Sequence, residues 1–211
     1  MSSSSLFAEW GEAVEVDALT RVRDGTRRLH RQLDRESSLR RLASPDCSLT
    51  QYRAALVPLA RAYARVDRLL IAGESFRPVG LVPYRARSPL IGPALVALVG
   101  RPRPLVPADA CRPIDSKAAY LGCRYVIDGA QFGHAVIARA LAGSELAGAL
   151  STQALSFWRI RFLAPDEWRG LCRRLANMST RAEAAAVTLS ARRIFELFKR
   201  CFAQAETEVS N

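Results

Sequence analysis

The chain has 211 residues, 49% of them apolar, with 31 Lys and Arg against 20 Asp and Glu. That length and apolar share fit one globular core and exclude a disordered or fibrous chain. The net charge of +11 comes almost wholly from arginines spread between Arg21 and Arg200 with no RNA-binding, zinc-finger or polybasic-tail pattern; it excludes no partner by itself, but favours small anionic ligands such as carboxylates, which Arg grips bidentately, over specific nucleic-acid binding.

Residues 1–16 are expected to be a flexible polar leader, and Glu9, Glu12 and Glu15 stand where a secretory signal would be basic or apolar. From Asp17 to about Arg35, Leu19, Val22, Thr26, Leu29 and Leu33 recur at three- and four-residue steps and predict an amphipathic helix. A second helix is expected from Ser48 or Thr50 to Gly73, with a kink at Pro58. The proline-rich stretch 74–114 reads as connection, interrupted by a short helix near "SPLIGPALVALVG". A long helical pattern then runs from Asp115 to Gly143. Three more are expected at about 145–163, 166–177 and 179–203, before a polar tail over 204–211. There is no hairpin signal or strand pair, so the fold class is all-α, a single helical domain over 17–203.

Five cysteines at 47, 111, 123, 172 and 201 form no C-x-x-C pair, which argues against a disulfide framework and a structural zinc site. No run reaches the roughly 20 apolar residues of a membrane span. A cytoplasmic protein with no membrane span and no nucleic-acid partner is the expectation.

Two constellations could carry chemistry. On the first helix, His30 shares a face with Arg23, Thr26, Arg27 and Asp34. A carboxylate on one ring nitrogen fixes the tautomer and turns the other nitrogen toward a metal, haem iron included; a plain surface His–Asp pair is the alternative. In "YVIDGAQFGHAV", Gly129 and Gly133 stand four apart inside an apolar helix, where each costs about 1 kcal/mol relative to alanine. Bare backbone on one face admits either a flat ligand or a closely packed helix.

Together, "LTRVRDGTRRLHRQLD", "YRAALVPLARAYARVDRLL" and "YLGCRYVIDGAQFGHAVIARAL" resemble the haem oxygenase family, closest to the bacterial biliverdin-producing branch associated with bacteriophytochromes. The resemblance runs in order from about residue 17 to 203. It implies a haem oxygenase-like helical bundle with haem, both substrate and cofactor, between a proximal helix bearing His30 as iron ligand and a distal helix bearing Gly129 and Gly133. It implies O2 and an external electron donor, a reductase or ferredoxin, and the products biliverdin, carbon monoxide and ferrous iron, with a bacteriophytochrome as a possible recipient of the biliverdin. Asp34 matches the acidic partner of the proximal imidazole. Arg23 matches a basic position holding a propionate, with Arg192, Arg193 and Tyr125 as further cofactor-binding candidates.

The chain departs from the family at three places. Ala94 stands in "LIGPALVAL" where related sequences tend to have Asp. Ala130 stands where the animal enzymes carry a water-ordering aspartate, and His134 replaces the second glycine of the usual pair. His134 has three readings: it packs against a neighbouring helix, it holds the water the aspartate would have held, or it binds iron opposite His30. The last would leave a haem-binding or haem-sensing protein with little activity.

Overall fold

The computed structural model describes residues 17–99, 112–150, 152–178 and 180–210, and among these every regular element is helical. The expected leader and the "RPRPLVP" stretch lie outside the described residues.

The first helix, α1 (Ala18–Glu36), starts where Asp17 accepts a hydrogen bond from the Thr20 amide at 2.8 Å. That bond holds the Asp17 carboxyl below the usual carboxylate range, and the cap satisfies an amide that has no partner inside the helix. Ala18, Val22, Thr26, Leu29 and Leu33 face the core, which turns Arg23, Arg27, His30 and Asp34 outward as the helical period requires. A short helix, α2 (Leu39–Leu42), follows; at four residues it is too brief for a periodic signal. Ser48 and Gln51 form a capping box at the start of α3 (Leu49–Ala72), which continues through Pro58 to Gly73. After a 3-10 turn at Glu74–Phe76 come α4 (Ser88–Val99) and α5 (Lys117–Ala142), the latter capped by Ser116.

The expected helix at 145–163 is in fact two, α6 (Leu146–Ala149) and α7 (Thr152–Arg159). Leu150 takes an extended conformation between them with its side chain buried in the core; flanking Gly148, Ser151 and Thr152 give helix little competing propensity. Then α8 (Pro165–Ala176) leads to α9 (Arg181–Ser210). The expected polar tail is therefore helical through Ser210. Its alanine and two glutamates favour helix, and the Thr207 hydroxyl turns back onto the Gln204 carbonyl at 2.8 Å.

The long α9 is the centre of the bundle, packed against α1, α5 and α3. At Gly122 a Cβ would run into the Val187 carbonyl, so α5 lies against α9 at a spacing that glycine alone allows. Tyr52 joins α3 to α7, donating to the Ala154 carbonyl at 2.8 Å while accepting from Trp158 Nε1 at 2.9 Å.

Behind α5 the core holds charge. Asp128 accepts from Arg87 at 2.7 Å and from Arg124 at 2.6 Å, with all three side chains 1% exposed. Asp67 accepts from the amides of Arg87 and Ser88 and from the Tyr84 hydroxyl, which pins the 84–88 connection to α3 and caps α4. Burial pushes the Asp128 carboxyl up while the two guanidiniums pull it down. A carboxylate so deep persists only because both oxygens are engaged. Ala94 is fully buried in α4.

Candidate functional site

Between α1 and α5 a cleft of about 730 Å³ opens, floored by Phe195 and Phe198 of α9 and by Leu59 and Tyr63 of α3. That volume falls among ordinary cofactor sites. His30 and Asp34 line one wall, and Gly129, Gly133 and His134 line the other. The expected proximal and distal segments thus face the same space.

On the α1 wall His30 Nδ1 lies 2.7 Å from Asp34 Oδ2, with the two side chains 61% and 58% exposed. The hydrogen bond to Asp34 raises the imidazole above its ordinary value, against partial desolvation. With Nδ1 as the donor to Asp34, a neutral ring has its lone pair on Nε2. Phe195 sets the ring's tilt through an edge contact at 5.5 Å between centroids.

On the α5 wall the two glycines differ. A Cβ at Gly133 would meet nothing within 4 Å, so that turn is bare backbone facing open space. A Cβ at Gly129 would lie 3.3 Å from the tip of the Trp168 indole, so part of what Gly129 admits is a side chain of α8. Trp168 stacks on Tyr125 at 5.7 Å and 24° and meets the edge of Phe132 at 5.4 Å. Arg23 and Tyr125 both line the cleft; burial raises the Tyr125 hydroxyl and the nearby Arg23 guanidinium opposes that rise. Phe132 and Val136, each 54% exposed, leave an apolar rim beside Gly133.

The candidates separate cleanly by position. Arg23, His30, Asp34, Tyr125, Gly129, Gly133 and His134 all line the cleft, and Ala130 lies among them. Arg192 and Arg193 are exposed on α9 and do not line it. Trp168, Tyr63, Arg31 and Arg40 line it without having been singled out. Trp168 and Arg40 lie on helices that sequence spacing does not connect to the site. Arg31, next to His30, was open to notice.

His134 is 5% exposed and wrapped by Phe157, Trp158 and Phe162, with ring centroids 5.0–5.9 Å away. Its Nε2 lies 2.7 Å from the Tyr63 hydroxyl. Burial, helped by the nearby Arg87 charge, lowers the imidazole to about 3, so it is neutral at neutral pH. The packing expected for His134 is present, but against a tyrosine hydroxyl rather than apolar surface alone.

The chain matches no protein-family model and no curated protein. What it does must be read from the cleft.

Proposed function

We propose that the protein binds haem in this cleft and, with O2 and electrons from a reductase or ferredoxin, opens the macrocycle to biliverdin, carbon monoxide and ferrous iron. One observation carries the reading: an imidazole oriented by a carboxylate faces, across a cleft of cofactor size, a helical turn that has no side chain. The residues fit the group. Among the described residues no three His, Cys, Asp or Glu side chains converge as a metal site. A lone imidazole at a cleft suits an iron whose equatorial ligands a macrocycle already supplies.

In this reading His30 is the ligand through Nε2, and Asp34 holds the tautomer and makes the ring more basic. Arg23, with Arg31 and Arg40 along the same side, offers guanidiniums to the propionate carboxylates. Gly133 would let the flat group approach bare backbone, and the exposed Phe132 and Val136 would offer it apolar surface. When bound, haem supplies the iron and the oxidisable carbon; the chain supplies orientation and a shielded, proton-accessible setting.

A haem-binding or haem-sensing protein with His134 as second iron ligand is the competing reading. The 2.7 Å bond to Tyr63 weighs against it, because it occupies Nε2. Adding hemin to the purified protein, then ascorbate or a reductase under air, separates the outcomes. Loss of the Soret band with growth of a red biliverdin band is expected. A persistent six-coordinate low-spin spectrum would establish the sensor, and a spectrum that stays that of free hemin would exclude both. His30→Ala should abolish the ferric spectrum of the complex.

A further inference from the structure

Trp168 lines the cleft from α8, and the helix that carries it is firmly seated. Gln131, on α5 between the two glycines, accepts hydrogen bonds from the amides of Phe162 and Leu163 at 3.2 and 3.1 Å, which ties the segment entering α8 to α5. Leu163, Leu171 and Leu175 are buried and anchor the helix along its length. Pro165 in the first turn, with the Ala164 amide donating to Glu167 at 2.6 Å, fixes where the helix begins. The indole is therefore held at a set point over α5.

Tyr125, Gly129 and Gly133 follow one another along one side of α5, each one turn or about 6 Å from the next. The indole stacks on Tyr125 and is braced by the edge of Phe132. Its Cη2 reaches to 3.3 Å from where a Gly129 Cβ would stand, whereas a Cβ at Gly133 would meet nothing within 4 Å. An alanine at 129 would press on the indole, so the glycine there gives the ring its room. A rigid aromatic side chain held between two others yields little to a guest. A flat ligand laid along the α5 wall meets bare backbone at Gly133 and an aromatic stop one turn earlier.

We infer that Trp168 is a specificity-determining residue of the cleft: its indole covers the Gly129 turn, closes the α8 end, and confines a flat ligand to the remaining length of the wall, against Gly133. The two glycines have different duties, Gly129 as the seat of the indole and Gly133 as the surface offered to the ligand. Under the proposed function, on which only this last point rests, the place where the ring stops decides which of its bridging carbons is opened. Trp168→Ala should then change the proportions of the biliverdin isomers formed from hemin, and Trp168→Phe should change them less. Identical mixtures from all three proteins would remove Trp168 from that role.

The closed end itself is tested without haem. Labelling glycine with 13C puts Hα probes on each bare turn, and Gly129→Ala and Gly133→Ala assign them. In the protein alone, the neutral nitroxide TEMPOL should broaden the Gly133 resonances and spare those of Gly129; in Trp168→Ala it should broaden both. Metal-free protoporphyrin IX should shift Gly133 by its ring current and leave Gly129 near its starting position, and in Trp168→Ala the shift should reach Gly129. Gly122, where a Cβ would strike the Val187 carbonyl, reports that α5 stays packed on α9 in each variant, and Trp168→Phe keeps an aromatic ring should the alanine unfold. Gly129 as open to the nitroxide as Gly133 in the unaltered protein overturns the inference, and so does a protoporphyrin that shifts the two equally. A protoporphyrin that shifts neither ends the haem reading, while a nitroxide contrast that persists upholds the closed α8 end.

Discussion

The two walls of the cleft each carry one histidine, and the environments are opposites. His30 stands half in solvent with a carboxylate on Nδ1, which raises its proton affinity. His134 is sealed among aromatic rings with a tyrosine on Nε2 and Arg87 close by, and its proton affinity falls to about 3. The same side chain is thus a half-exposed imidazole paired with a carboxylate on one wall and a buried, neutral one on the other. Difference in burial, more than difference in partner, separates the two roles.

The comparison breaks most visibly at the carboxylate each of the two helices carries, Asp34 on α1 and Asp128 on α5. Asp128→Ala should cost about 3–5 kcal/mol by stranding Arg87 and Arg124 in the core. Asp34→Ala on the exposed wall should cost about 0–1 kcal/mol. Urea midpoints at constant m measure both, and equal losses would erase the distinction. Next in size, Tyr63→Phe should cost about 1–3 kcal/mol, since it leaves His134 Nε2 buried and unpaired.

Acid sharpens the contrast, because the linkage runs in opposite directions. His134 binds its proton less readily folded, at about 3, than unfolded, near its ordinary 6.5. The unfolded chain is therefore favoured progressively as pH falls from 6.5 toward 3. His30 binds its proton more readily folded, so its contribution is present below 6.5 and is lost as pH rises through its raised folded value. Stability measured against pH should show a shallower acid loss in His134→Leu than in the unaltered protein, and no such change in His30→Gln.

Smaller still, Gly133→Ala should stabilise the protein without haem by about 0.5–1 kcal/mol, because a Cβ there meets nothing and alanine favours helix. Under the proposed function it should weaken hemin binding at the same time, measured by titration of the Soret band. Asp34→Asn is the mildest change, returning His30 toward its ordinary 6.5 as read by imidazole NMR.

Helices α1, α3 and α5 were readable because each combines an apolar stripe with a capping Asp or Ser, two independent signals that agree. The split between α6 and α7 was not, since Leu150 leaves the helix to bury its side chain, a tertiary demand that the weak helix propensity around it permits but does not dictate. The site divides the same way. His30 and Asp34 are four apart on one helix, so their contact is a property of spacing. Tyr63 meets His134 across 71 residues and Arg87 meets Asp128 across 41, and no periodicity connects such pairs. Gly129 shows both limits at once. Its missing side chain was evident, whereas the indole that takes up the space comes from α8.

Trp158 and Trp168 both look onto the cleft, and the third tryptophan in the chain is Trp10. The molecule therefore carries its own optical reporters at the place where a ligand would enter. A strongly coloured flat guest should quench their ultraviolet emission as it loads, and a Trp168→Phe variant would tell how much of that signal arises at the α8 end, with no label attached.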